Sequence, residues 1–350
     1  MFLYDKAVVK EDMQELVERD YIPYDKLNGK TVLVTGATGM LAYYFTMALM
    51  HLNLTKGYNI KVVALVRNAQ KAKAKFEGFL DDERFELMTQ DVCQEIEYDG
   101  DVDYIFHAAG AASPYFIKND PTGIIAANTT GTVNVLELAR KKNVTNVIYP
   151  STREIYGKVE GVEFIKETDM GVFDPLDARS CYPESKRIAE TILKSYLVQY
   201  GVPFTALRIA HSYGPGMIID SDGRVMSDFI SDAVNSRNIV LKSEGLALRA
   251  FCYVTDAVAA IFVTMLCGGC GEAYNLANET EPTPIRDVAG MLAELFPERN
   301  IKVIFEIAGD TSGYCNYARV GLDTTKLESL GWSPVVKLRD GLKRTVVSFD

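Results

Sequence analysis

Thr35-Gly36-Ala37-Thr38-Gly39-Met40-Leu41-Ala42 lies where one periodicity of the chain gives way to another. Before it, residues 30–35 form a short apolar, β-branched run that reads as a strand. After it, Leu41, Phe45, Ala48, Leu49 and Leu52 recur at helical spacing through residues 36–53. A strand passing through small residues into a helix leaves bare backbone beside the open N–H groups of a helix N-terminus. That arrangement suits a pyrophosphate. The spacing is Gly-x-x-Gly-x-x-Ala rather than Gly-x-Gly-x-x-Gly, so the strand-turn-helix setting supports the reading more than the glycines do. Taken alone, the segment also fits an ordinary tight turn.

The same alternation continues on the C-terminal side. Residues 60–66, 85–88, 104–107, 147–149 and 204–209 read as strands, and 128–142 and 183–200 as helices. Near-continuous apolar strands separated by helices predict an α/β fold, a Rossmann-type doubly wound parallel sheet covered on both faces. The expected dinucleotide-binding domain spans 30–210, with 248–275 packing back on it. Beyond residue 210 the rhythm loosens around the Tyr213-Gly214-Pro215-Gly216 turn, the polar stretch 220–224 and Pro282 and Pro284. A smaller, mixed C-terminal lobe over 211–350 is expected to bind substrate. Residues 1–29 read as a polar extension with a helix over 11–19, ending at Ile22-Pro23.

The 350 residues are 48% hydrophobic and 24% charged, the balance of a globular protein with a large core. A formal charge of -10 disfavours nucleic acid and anionic membranes as partners. Met1-Phe2-Leu3-Tyr4-Asp5-Lys6 lacks the basic start of a signal peptide, and the apolar stretches near 40–54 and 257–267 are too short or interrupted to span a bilayer. Six scattered cysteines suggest a reduced, cytoplasmic setting. Cys267-Gly268-Gly269-Cys270 has no second pair, and the three histidines are dispersed, so no metal site is expected. The lysine run 71–75 reads as a solvated helix face, and Trp332 as packing under the C-terminal lobe.

Tyr182-Pro183-Glu184-Ser185-Lys186 puts a phenol and an amine four apart, on one face of a helix. A phenol is a poor base at its usual pKa of roughly 10; a neighbouring ammonium would bring it towards the working range. Tyr182 could then take a substrate hydroxyl proton while a hydride leaves the same carbon. The strand at 147–149 runs into Pro150-Ser151-Thr152-Arg153-Glu154-Ile155-Tyr156-Gly157. Thr152 thus falls at a strand's carboxyl end, where open α/β sheets bind ligands, although a hydroxyl there can equally serve the backbone. Asp91-Val92 and His107-Ala108-Ala109-Gly110 end two further strands, the first suited to an adenine edge, the second small enough for a cofactor to lie across. Arg67-Asn68 ends another. An acid there would take ribose hydroxyls, whereas Arg can pair with a 2′-phosphate, so the cofactor reads as NAD or NADP.

Thr-Gly-Ala-Thr-Gly, Ser-Thr-x-Glu-Ile-Tyr-Gly, Tyr-x-x-x-Lys and Arg208…Tyr213-Gly214-Pro215 follow the order and spacing of the extended short-chain dehydrogenase/reductases. The chain resembles that family of sugar-nucleotide epimerases, dehydratases and decarboxylases over about residues 30–345. Asp174-Pro175-Leu176…Cys181-Tyr182, Asp222-Gly223-Arg224-Val225-Met226 and Arg249-Ala250-Phe251-Cys252-Tyr253 look most like UDP-glucuronate decarboxylases, with dTDP-glucose 4,6-dehydratases next. The resemblance implies Thr152, Tyr182 and Lys186 as a catalytic triad with Glu154 as a functional acid, working through a 4-keto sugar. It implies dinucleotide contacts at Gly36, Thr38, Gly39, Met40, Leu41, Ala108, Ala109, Gly110 and Asn128 besides those above. Substrate contacts fall at Arg153, His211, Arg224 and Arg249, and the substrate is a nucleotide-sugar. Decarboxylation is the favoured outcome, with 4-epimerisation or ketoreduction as alternatives, and a nicotinamide-binding sensor as the alternative outside enzymes.

Three positions depart from the family's pattern. Arg153 replaces the acid that protonates a leaving hydroxyl in dehydratases, which an Arg cannot do. His211 replaces an Asn at the sugar nucleotide, and Arg67 replaces the acid at the ribose. Relatives often dimerise through the helix bearing Tyr182 and the one before the Thr152 strand. Ile188, Ile192, Leu193, Tyr196, Val135 and Leu136 on those helices suit core or interface, and a homodimer is expected.

Overall fold

The computed structural model describes residues 2–220, 222–307 and 320–350. Seven parallel strands form the central sheet: β1 (Thr31–Thr35), β2 (Lys61–Val66), β3 (Phe85–Thr89), β4 (Tyr104–His107), β5 (Asn146–Thr152), β6 (Phe204–Ile209) and β7 (Glu272–Leu276). Their order is β7-β6-β5-β4-β1-β2-β3. The chain reverses its direction of travel across the sheet between β1 and β4, and open α/β sheets bind ligands at such a switch point. The register pairs Thr35 with both Leu65 and His107, which aligns the strand ends along one rim.

Alternation along each strand divides the core in two. Val32, Val34, Phe106 and Ile148 face a layer that includes α2 (Met40–Thr55) and α9 (Val254–Cys267). Leu33, Ile105, Val147 and Tyr149 face α6 (Thr130–Lys142) and α7 (Cys181–Tyr200). Both faces are covered, which explains why the strand sequences are almost wholly apolar. The remaining helices are α1 (Ala7–Val17), α3 (Ala69–Lys75), α4 (Pro114–Asn119), α5 (Pro121–Asn128), α8 (Val225–Val234), α10 (Ile285–Leu295), α11 (Thr325–Glu328) and α12 (Leu338–Val347). Helices α8, α10 and α12 pack together beside short strand pairs, 239–241 with 303–305 and 248–249 with 283–284. No helix among the described residues is long and apolar enough to cross a membrane.

Three expectations need correction. The N-terminal segment is not a polar preface: α1 begins at Ala7, and Val9, Met13, Leu16 and Val17 are buried. Its Asp12, fully buried, accepts hydrogen bonds from Tyr44, Tyr253 and Arg344, each at 2.7 Å. The helical stretch expected at 128–142 begins earlier, at Pro121. Asp120 caps it by accepting from the Gly123 N–H at 3.1 Å, and the chain bends at Thr129. Strand β7 was not expected at all. Trp332 lies beneath α9, its indole N–H donating to the Asp256 carbonyl at 2.9 Å.

Candidate active site

The glycine turn after β1 is shaped by a close approach. Gly36 adopts φ +61°, and a Cβ there would lie 2.8 Å from the Ala108 carbonyl at the end of β4. Glycine alone tolerates both conditions. The Thr35 hydroxyl accepts from the Ala109 N–H at 3.0 Å and contacts the His107 ring at 2.9 Å, fixing the two strand ends together. Burial beside the Lys186 ammonium pushes the His107 imidazole down to about 3, so it remains neutral. No side chain caps α2, whose N-cap is Gly39, so the N–H groups of Met40 and Leu41 open onto the rim. Gly110, with φ +151°, would place a Cβ 3.0 Å from the Asn128 amide oxygen. The Asn128 amide in turn donates to Ser185 at 3.0 Å, tying α5 to α7.

Bare backbone at β1 and β4, an uncapped helix start and a crevice at the switch point fit a dinucleotide. Further along the rim, Arg67 and Asn68 are exposed at the end of β2, and the Asn68 side chain is committed to capping α3. Asp91 accepts from the Cys93 N–H at 2.9 Å, and Val92 is buried under Gly131.

Strand β5 and helix α7 bring Thr152, Tyr182 and Lys186 together. All three are nearly buried, at 6% exposure each. Arg208 secures this corner, with its guanidinium paired to Glu190 of α7 at 2.7 and 3.1 Å and to the Tyr156 hydroxyl at 2.9 Å. The Thr152 side chain hydrogen-bonds Tyr182 and accepts from the Glu154 N–H at 3.2 Å. Beside Thr152, the buried Ser151 hydroxyl has no partner among the described residues. Lys186 donates to the Pro150 carbonyl at 2.8 Å and lies 4.4 Å from the Tyr149 ring centre.

The electrostatics differ from the sequence expectation. Burial pushes the Tyr182 phenol up to about 12; the Thr152 hydrogen bond opposes it, the Glu154 charge adds to it, and Arg224 and Arg179 pull it back. Burial also pushes the Lys186 ammonium down to about 7. Desolvation therefore outweighs the mutual help expected of a phenol and an amine one helical turn apart.

Glu154 is held by a residue that the sequence reading passed over. Arg179, on the turn leading into α7, donates to both its carboxylate oxygens at 2.7 and 3.1 Å. This fork ties the end of β5 to the start of α7 and neutralises the charge nearest the phenol. Its only trace in sequence is an Arg three residues before Tyr182. Arg224 is paired to Asp222, and the Ser227 hydroxyl donates to the same carboxylate at 2.9 Å. Arg153 instead reaches the Val320 carbonyl at 3.1 Å. Arg249 donates to the neighbouring Leu248 carbonyl at 2.8 Å, on the strand pair with 283–284. His211 adopts φ +46° with its ring 5.9 Å from that of Phe251. Thus Thr152, Glu154, Tyr182, Lys186 and Arg224 converge, while the Arg249 guanidinium bonds back to its own strand.

The sequence profile of the NAD dependent epimerase/dehydratase family matches residues 32–277. UDP-glucuronic acid decarboxylase 6 of Arabidopsis thaliana is 33% identical over 312 residues, 89% of this chain and 86% of its own length. UDP-glucuronic acid decarboxylase 1 of Danio rerio is 33% identical over 354 residues, covering 99% of this chain and 80% of that protein. Among solved structures, UDP-glucose 4-epimerase of Thermotoga maritima with UDP-glucose superposes with a TM-score of 0.75 at 23% identity, covering 91% of this chain and 98% of that one. The dTDP-glucose 4,6-dehydratase of Bacillus anthracis in complex with NAD gives 0.73 at 21% identity, with 92% and 96% covered. At these identities the structural likeness is one of fold.

Proposed function

The chain belongs to the NAD dependent epimerase/dehydratase family, and within it we propose a decarboxylase of UDP-glucuronate working through a 4-keto sugar. The observation that carries this reading is the convergence of Thr152, Tyr182 and Lys186 at one rim of the sheet, with Glu154 clamped beside them. The 33% identity to UDP-glucuronic acid decarboxylases over most of the chain supports it.

The dinucleotide's diphosphate would rest on Gly36, Thr38, Gly39, Met40 and Leu41, its adenosine on Arg67, Asn68, Asp91 and Val92, and its inner half along Ala108, Ala109, Gly110 and Asn128, with Tyr182 and Lys186 beyond. When bound, it supplies a hydride acceptor for the sugar's C4. Tyr182 takes the proton of the C4 hydroxyl, and Thr152 holds that oxygen by hydrogen bonding. Lys186, anchored on the Pro150 carbonyl, supplies positive charge one helical turn away. Once C4 is a ketone, the C6 carboxylate is β to a carbonyl. Carbon dioxide then leaves as the C5–C6 bonding pair moves into the C4 carbonyl. A proton adds at C5, and Tyr182 returns its proton to the C4 oxygen while C4 takes the same hydride back from the dinucleotide, so the C4 hydroxyl re-forms with no net oxidation. Arg153 stands where a dehydratase needs an acid and cannot act as one, which disfavours loss of water.

The test is mass spectrometry of UDP-glucuronate after incubation with the protein, with NAD and separately with NADP. Loss of carbon dioxide supports the reading and names the cofactor. Arg67, exposed and without a partner among the described residues, makes the NADP arm necessary. An isomer of unchanged mass would replace decarboxylation with 4-epimerisation.

Arg179 gives a second expectation. Its removal leaves the Glu154 charge unneutralised beside the phenol, and one unit of phenol pKa is a factor of about ten in phenolate. Arg179→Ala should lower kcat roughly tenfold, and adding Glu154→Gln should restore the pH dependence of kcat/KM towards wild type. A pH profile unmoved by Arg179→Ala would contradict this.

We also propose a homodimer through α6 and α7. Val135, Leu136 and Leu193 are core, whereas Ile188 and Val198 on α7 are 44% and 78% exposed, leaving apolar surface to cover. Light scattering should give twice the chain mass, and Ile188→Glu with Val198→Glu should halve it. The described cysteines are all free thiols, which suits a reducing cytoplasm.

A further inference from the structure

Lys75, the last residue of α3, belongs to the lysine run that the sequence presents as a solvated face, yet it does not point into water. Its ammonium donates to the Thr38 carbonyl, within the glycine turn, at 2.9 Å. It lies 4.9 Å from the centre of the Tyr43 ring, in the first turn of α2. The same tyrosine's hydroxyl donates to the Lys75 carbonyl at 2.6 Å, so both ends of the residue are fastened to the turn and its helix.

The surroundings are electrically one-sided. Lys71 on the same helix is the charged neighbour that acts on Lys75, and it repels. The Tyr43 phenol faces it from α2, and Glu77 and Asp5 lie towards that phenol from the neighbouring turns. Among the described residues no carboxylate forms an ion pair with Lys75. The open N-terminus of α2 adds a further positive end. Two positive features therefore meet at the turn, and the nearby carboxylates of Glu77 and Asp5 lie on the Tyr43 side without pairing to Lys75.

We propose that Lys75 is a charge-matching residue for the dinucleotide's diphosphate, acting from beneath the glycine turn through the Thr38 carbonyl. The inference rests on the dinucleotide reading of that turn. Burial, with Lys71 adding to it, holds the ammonium down to about 8. A bound diphosphate favours the charged form and raises that value. Near pH 8, binding therefore draws in a proton, and affinity falls as pH rises through the free protein's pKa.

The experiment is calorimetric titration of the nucleotide-free full chain with NAD or NADP, at pH 8, in two buffers of different ionisation enthalpy. The wild type should take up about half a proton per dinucleotide, because the group starts half-ionised and ends charged. Lys75→Met should lose the uptake and bind roughly tenfold more weakly, the scale of one charge-assisted contact. Lys75→Arg should bind near wild type without uptake, since a guanidinium stays charged. Wild-type binding without uptake overturns the proposal, as does a Lys75→Arg that binds as weakly as Lys75→Met. If neither dinucleotide binds the wild type, the cofactor reading itself falls, a result separate from either of these.

Discussion

Tyr182→Phe should lower kcat on UDP-glucuronate by about a thousandfold, while leaving dinucleotide affinity within a factor of about two. The change removes one oxygen from a nearly buried ring and keeps the ring's packing. The lost contact is the hydrogen bond with Thr152, worth about 1 kcal/mol to stability, so the fold should survive. Catalysis loses more, because no other side chain described at that corner can remove the C4 hydroxyl proton. Lys186 is anchored on the Pro150 carbonyl, and Glu154 is occupied by Arg179. General-base groups contribute about a hundred- to ten-thousandfold, which sets the expected scale. Steady-state kinetics and dinucleotide titration on one preparation check both halves. A variant with near-normal turnover would remove Tyr182 from the chemistry.

Arg19→Met should destabilise the fold by about 3–5 kcal/mol, the usual cost of stranding a buried charge. The Arg19 guanidinium meets Asp256 at 2.7 Å, with side-chain exposures of 6% and 0%. Asp256 also accepts from the Val335 and Val336 N–H groups at 3.2 and 3.1 Å, so one carboxylate joins the N-terminal segment, α9 and the C-terminal segment. Burial already raises its pKa above the usual carboxylate value, and Arg19 is the foremost influence pulling it back. Without Arg19 it rises further. A carboxyl whose folded-state pKa lies above its unfolded value binds its proton more tightly when folded, so lowering the pH favours the folded state. The variant's deficit in urea denaturation should therefore be greater at pH 7 than at pH 5. A deficit under about 1 kcal/mol at both values would show that water reaches Asp256.

Most of the sheet was legible because strands covered on both faces carry continuous apolar runs, and the helices between them carry their own period. The exceptions share a cause. Strand β7 reads Glu-Ala-Tyr-Asn-Leu, too polar for that pattern, and its Asn275 is absorbed by tertiary partners, including the Tyr156 hydroxyl at 2.6 Å. The N-terminal helix looked polar because the buried Asp12, and Arg19 just beyond the helix, draw hydrogen-bond partners, Tyr44 and Asp256, from more than 30 positions away.

Within the site, Thr152, Tyr182 and Lys186 could be read from local spacing, since four residues on a helix and the end of a strand are local facts. The Glu154–Arg179 fork joins positions 25 apart, and the Lys75–Thr38 contact joins positions 37 apart. Neither has a local pattern to reveal it. The shifted pKa values of Tyr182 and Lys186 were illegible for a related reason: burial dominates both, and burial belongs to the folded chain.

Oxidation at C4 followed by loss of the C6 carboxylate leaves a label that is read by turning over UDP-glucuronate in deuterium oxide and locating the deuterium by NMR and mass spectrometry. A UDP-pentose is expected with deuterium at C5, where solvent supplies the proton, and with the original hydrogen retained at C4, to which it is returned. Deuterium at C4, or a product that keeps its carboxylate, would contradict that order of steps.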